Sequence, residues 1–217
     1  MPGTHRLTAL RLTRGEHQRQ PVIDLDGRRV WDSTAIIAAL EDYRPEPPLY
    51  PADPDERERA LALEDYFDEE LAPRIRRLIW HHMLPDIDAA TDAALPDEGA
   101  FKRGLLRATS PVGGRLVRQD YSADEAGARE AEIGIRAAMD RLEAELGGGE
   151  YLVEGAFSVA DLTAAALSTP PLAPPGRPWA PELVEPLRPF RDELEARPGG
   201  RWVARMYEQH RGVPVAA

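Results

Sequence analysis

QPVIDLDGRRVWDSTAIIAAL, residues 20–40, is the stretch on which the fold turns. Val22, Ile23 and Leu25 form one β-prone run, Val30 and Trp31 a second, and Asp26-Gly27 lies between them. An Asp-Gly pair in that position predicts a tight hairpin, because the turn that matches strand twist needs positive φ at both central residues. Asp32 or Ser33 then caps a helix on which Ile36, Ile37, Leu40 and Tyr43 recur at helical spacing. This is the one convincing strand signal in the sequence, so strands are expected only over about 21–32.

Upstream, the first 20 residues are polar, and Leu7, Leu10 and Leu12 suggest at most a short helix. Downstream, Pro45, Pro47 and Pro48 end the helix, since proline fixes φ and removes a backbone donor. The chain therefore divides into residues 1–44, a semi-rigid linker over 45–53, and residues 54–217.

The third part reads as helix throughout. Asp53, Pro54 and Glu56 form a capping box with proline at the first helical position. Leu61, Leu63, Tyr66, Phe67, Leu71, Ile75, Leu78 and Ile79 continue the apolar pattern, and Pro73 predicts a kink near 69–73. Turn signals at Pro96, Gly99 and Pro111 mark a less regular region over 85–120. Ser122 with Glu125 predicts a second capping box. It opens a long helix through Ile133, Ile135, Met139, Leu142 and Leu146 that stops at Gly147. Ser158 with Asp161 predicts a third box, opening a short, almost uncharged helix over 159–167, which such composition marks as buried. A proline-rich crossing over 170–181 leads to two last helices near 181–196 and 199–210.

Composition narrows the function. The 217 residues carry 27 basic and 38 acidic side chains, a net charge of −11, which argues against a nucleic-acid or anionic-membrane binder. The absence of cysteine excludes disulfides, thiolate zinc sites and a cysteine nucleophile in this chain. No signal-peptide pattern opens the sequence. The longest charge-free stretch, residues 162–176, contains four prolines and is too short to span a bilayer. A soluble, cytoplasmic protein is expected.

The order of elements resembles the glutathione S-transferase family. The residues that carry the resemblance are QPVIDLDG (20–27), DSTAIIAAL (32–40), the linker PEPPLYPADP (45–54) and YLVEGAFSVADLTAAA (151–166). It implies a mainly α protein: a remnant of a thioredoxin-like α/β domain, hairpin plus helix, followed by an all-α helical bundle. Pro21 would be the family's cis-proline, and the backbone of Gln20 would pair with the cysteinyl part of glutathione. Asp32 and Ser33 would hold the γ-glutamyl end. Ser158 and Asp161 would be the structural cap of the buried helix. Implied partners are glutathione, as substrate, and small electrophiles, with no metal and with a homodimer as the family's habit.

Read from the residues alone, Asp32 and Ser33 are equally a plain helix cap. Capping and anion binding share one geometry, the free N–H groups and positive end of a helix start. The family also carries a strand, a helix and a second strand before its cis-proline, and such a unit takes about 30 residues. Only 20 residues precede Pro21 here. The resemblance therefore implies that the segment with the catalytic Tyr, Ser or Cys is missing. No position inherits a catalytic role, and either conjugation in a longer product or a non-catalytic interaction protein of the same fold is expected.

Other clusters read as structural. His81 and His82 are adjacent, so they point about 100° apart and do not share a metal. Asp65, Asp68, Glu69 and Glu70 read as a solvated helix face. Arg76 and Arg77 complement the negative end of their helix.

Overall fold

In the computed structural model, residues 9–17, 21–86, 113–153, 155–174 and 185–211 are described. They fall into two compact units, Met1–Tyr50 and Pro51–Ala217. In the first, β1 (Val22–Leu25) and β2 (Arg28–Trp31) pair antiparallel, Val22 opposite Trp31 and Leu25 opposite Arg28. The expected turn is there: Asp26 and Gly27 take φ of 52° and 84°. Gly27 N–H also donates to the Asp24 carboxylate at 2.8 Å.

Helix α1 (Ser33–Tyr43) follows β2 directly. Its buried residues are Ile36 and Ala39, whereas Leu40 and Tyr43 are exposed. The apolar line expected through Leu40 and Tyr43 is therefore displaced, because the helix turns its small Ala39 inward. Of the N-terminal leucines, Leu7 lies outside the described residues; residues 9–12 are helical, with Ala9 buried and Leu12 exposed. Glu41 holds the end of the unit by accepting the N–H groups of Leu49 and Tyr50, at 2.9 and 3.3 Å.

The second unit opens with α2 (Pro54–Tyr66), whose N-cap Asp53 accepts from the N–H groups of Asp55 and Glu56 at 3.0 Å each. The return half of the expected box is not made by Glu56 Oε2, which is buried without a hydrogen-bond partner. A π-turn over Phe67–Leu71 separates α2 from α3 (Ala72–Met83), and the Ala72 N–H reaches back to the Phe67 carbonyl. The break thus falls where Pro73 predicted one. It is a widened turn, and Pro73 sits in the first turn of α3, where a missing N–H costs nothing. Leu84–Asp86 forms a 3₁₀ turn, and residues 113–120 are helical. The turn signals at Pro96, Gly99 and Pro111 lie outside the described residues.

Helix α4 (Glu125–Leu146) is capped by Asp124, whose carboxylate accepts the Gly127 N–H at 2.8 Å. Ser122 is not the cap: it takes φ of 50° in the turn that ends the preceding helix. Gly147 closes α4 in the left-handed region at φ 53°. Ala128, Ala131, Ile135, Ala138, Met139 and Leu142 form the buried stripe. Ile133, expected in it, lies two residues from Ile135 on the opposite face and is exposed.

Helix α5 (Val159–Leu172) packs against α2, the π-turn, α3, α6 (Arg188–Glu195) and α7 (Pro198–His210). This central position explains its lack of charge. It also runs past the expected end at 167: Pro170 and Pro171 fall within its last turn, and Ala173 caps it at φ 49°. The first of the final helices starts at Arg188, after a 3₁₀ turn over 185–187, whereas the second starts at Pro198, as the spacing suggests; residues 181–184 lie outside the described ones. Phe67, Leu78, Ile135, Leu142, Leu194 and Trp202 are among the fully buried side chains of this bundle. Among the described residues no strand follows residue 31.

Candidate functional site at the start of helix α1

The hairpin and α1 place the candidate residues together through register alone. Val22 pairs with Trp31, so Pro21, just before Val22, and Asp32, just after Trp31, sit at the same open end of the hairpin. Pro21 is exposed there. Gln20 lies outside the described residues, and with it the expected cis Gln20–Pro21 bond. Among the described residues the cis bond is Glu46–Pro47, in the linker, where sequence reading saw only proline-rich chain.

Asp32 is the N-cap of α1. Its exposed carboxylate accepts from Thr34 N–H at 3.1 Å and Ala35 N–H at 3.3 Å. It adopts φ 74° and ψ 133°, a backbone conformation that side chains rarely take. Ser33 is the first helical residue and half-buried. Its hydroxyl has no hydrogen-bond partner among the described residues. The helix start therefore offers a free hydroxyl and the positive end of the helix dipole, beside an exposed carboxylate whose Oδ1 is taken up by the helix N–H groups. That combination suits a zwitterion: the dipole and hydroxyl meet a carboxylate, and Asp32 meets an ammonium. His17 is a neighbour that sequence reading missed; its ring stacks on Trp31 with centroids 6.2 Å apart.

Ser158 and Asp161 form the expected box at the start of α5, with both halves present. Asp161 Oδ2 accepts from the Ser158 N–H at 2.9 Å and from the Ser158 hydroxyl at 2.7 Å. Oδ1 accepts from the Leu152 N–H at 2.8 Å, tying the preceding loop to the helix. Burial pushes the Asp161 carboxyl above the usual aspartate range, against the pull of these bonds.

His81 and His82 meet edge to face at 5.0 Å, and His81 Nδ1 lies 3.3 Å from the Ala123 carbonyl. Burial, then the neighbouring His81, lowers the pKa of His82. Among the described residues no group of three or more His, Asp or Glu side chains is placed to hold a metal. In the acidic run Asp65, Glu69 and Glu70 are exposed, and Glu70 pairs with Arg74 at 2.6 Å. Arg77 is structural: it donates to the Tyr121 carbonyl at 3.1 Å and pairs with Glu130 at 3.0 Å. Arg76 is exposed.

No family model and no curated protein matches the sequence. Solved structures do match. The β-etherase LigF from Sphingobium sp. strain SYK-6 aligns with a TM-score of 0.53 and 22% identity, over 86% of this chain and 77% of that one. A glutathione S-transferase from Rhodospirillum rubrum F11 aligns at 0.49 and 20% identity, over 91% and 74%. A glutathione S-transferase from Methylobacterium radiotolerans JCM 2831, in complex with glutathione sulfonate, aligns at 0.46 and 20%, over 93% and 76%. Among the described residues no helix is long and apolar enough to cross a membrane. Hairpin, helix and helical bundle follow one another as the sequence leads one to expect, and the chain carries a glutathione S-transferase-like fold.

Proposed function

We propose that the chain binds glutathione at the start of α1, as part of a glutathione transferase acting on small electrophiles. Asp32 accepts from the γ-glutamyl ammonium, the Ser33 hydroxyl donates to the γ-glutamyl carboxylate, and the Gln20 backbone beside Pro21 pairs with the cysteinyl unit. In the reaction the glutathione thiolate attacks an electrophilic carbon, a C–S bond forms, and the leaving group departs with its electron pair. The observation that carries this reading is the Asp32–Ser33 helix start, with its exposed carboxylate and unengaged hydroxyl, in a glutathione S-transferase-like fold. The reading includes a cytoplasmic location, where glutathione keeps thiols reduced, and a homodimer.

A second reading, a non-catalytic interaction protein of the same fold, is favoured by two buried hydroxyl groups of the first unit, the Ser33 hydroxyl being assigned to the γ-glutamyl carboxylate and Tyr43 lying exposed at the far end of α1. Thr13 is buried and its side chain is bonded to Ala9 and His17, and Tyr50 is buried too. Neither is free to polarise a thiol.

Calorimetric titration of glutathione into the 217-residue protein, alongside conjugation to a chlorodinitrobenzene, separates the two. Binding that weakens about tenfold in Ser33→Ala, the loss of one charge-assisted hydrogen bond, supports the site. Binding with turnover at background favours the second reading for these residues. Turnover above background locates thiol activation within them. No binding at all rejects the site.

A further inference from the structure

The second unit holds a cavity that glutathione binding leaves unused. It lies between α5 and α7 and measures about 220 Å³. Leu162, Ala165, Ala166 and Met206 give it apolar sides with little side-chain bulk at the alanines. Phe157 and Tyr207 add aromatic faces. An apolar cavity of about 150 Å³ takes benzene, so this one accommodates a single ring with a short tail.

The polar groups are His210 and Arg211, at the end of α7. His210 is fixed on two sides. Its ring stacks on Phe157 with centroids 4.1 Å apart and planes 21° apart, and Nε2 lies 3.2 Å from the Tyr151 hydroxyl. That contact leaves Nδ1 as the nitrogen available to a ligand. The Tyr207 hydroxyl is occupied by Thr169. Arg211 lies over the Tyr207 ring, 5.4 Å from its centroid, and no carboxylate pairs with it among the described residues. An unneutralised guanidinium at an apolar cavity is therefore complementary to a single negative charge on an apolar body.

We propose that this cavity binds a small aryl or arylalkyl monocarboxylate. The ring lies against Ala165 and Ala166 among the aromatic faces. The carboxylate accepts from the Arg211 guanidinium and from His210 Nδ1–H. The site is built within the second unit alone, so it stands or falls independently of glutathione binding at α1.

The probes are 3-phenylpropanoate and its uncharged amide, titrated calorimetrically into the 217-residue protein. The acid is expected to bind with a dissociation constant on the order of 100 µM, fitting a ligand of this size, and to weaken with salt. The amide should bind at least about tenfold more weakly, as loss of a charge-assisted contact implies. Arg211→Gln should lower acid affinity about tenfold and leave the amide unchanged. Ala166→Phe, at an exposed position, fills the cavity and should abolish both while glutathione binding is retained. Equal binding of acid and amide overturns the charge-recognition claim. Failure of both probes at millimolar concentration means the cavity is closed in solution, and overturns the site.

Discussion

At Asp32 two local preferences conflict. Its carboxylate caps α1, but its backbone at φ 74° and ψ 133° favours glycine. Such strain costs about 1–3 kcal/mol, whereas replacing a capping aspartate by glycine costs only a few tenths of a kcal/mol. Asp32→Gly should therefore melt no lower than wild type, and Asp32→Ala, which loses the cap and keeps the strain, should lose about 1–2 kcal/mol. A lower melting temperature for the glycine variant would show that the cap outweighs the strain. Asp161 presents the opposite case, a residue with every acceptor used. Asp161→Ala strips partners from the N–H groups of Leu152 and Ser158, and should cost about 1–3 kcal/mol. The raised pKa of Asp161 has a definite sign. Its linked stability is fully present below the ordinary aspartate value of 3.8 and is lost as pH rises through the folded value. The stability gap between wild type and the non-titrating Asp161→Asn should accordingly shrink as pH rises across that window. A gap that widens would contradict the sign.

Between elements, Glu143 is a staple. It receives Arg197 through Nε at 3.0 Å and Nη2 at 2.9 Å, and the Gly199 N–H at 3.0 Å, fixing α4 against the start of α7. A side chain at Gly199 would press on Glu143, Leu142 and Met139, each 3.2 Å from its Cβ. The Arg197 hydrogen bond holds the Glu143 carboxyl below the usual glutamate range. The stability it adds is present above pH 4.5 and lost as pH falls through the depressed value. Glu143→Gln should cost about 1 kcal/mol at neutral pH, as a networked ion pair does, and the cost should fade in acid melts. This staple was not legible, because its partners lie 54 residues apart in sequence. The hairpin was legible because Asp26-Gly27 admits few other conformations, and the α5 cap because Ser158 and Asp161 are three apart. Ser122 and Glu125 have the same spacing, yet there Asp124 caps the helix; spacing does not reveal where the preceding helix ends. Ile133 was misplaced for a related reason, since a stripe of alanines leaves the buried face of α4 ambiguous by hydrophobicity alone. Phe157 and His210 share a ring stack that no local pattern foretells.

The two units differ in what supports them. The first rests on a pair of four-residue strands and α1, and isolated two-stranded sheets are marginal in water. The second has a continuous buried core around α5. Residues 51–217 expressed alone should stay helical and melt cooperatively by circular dichroism, and in the whole chain the hairpin amides should exchange with deuterium well before those of α5. A fragment that fails to fold would show that the first unit supplies core. Within the second unit, the π-turn at Phe67–Leu71 sits where the helical rod changes neighbours, from α5 along α2 to chiefly α4 along α3. A π-turn holds one residue more than the α-helix that would replace it, so it amounts to an insertion the backbone has absorbed. Removing the exposed Glu69 would let the backbone close into α-helix with the residues downstream kept in phase, since a π-turn absorbs its extra residue. It would, however, leave Pro73 inside unbroken α-helix, where its ring clashes with the carbonyl four residues before it and a backbone bond is lost, at about 3 kcal/mol. The deletion should therefore lower stability by about that much with the fold kept, while Glu69→Ala leaves it intact, so that the widened turn is what lets this helical rod carry a proline.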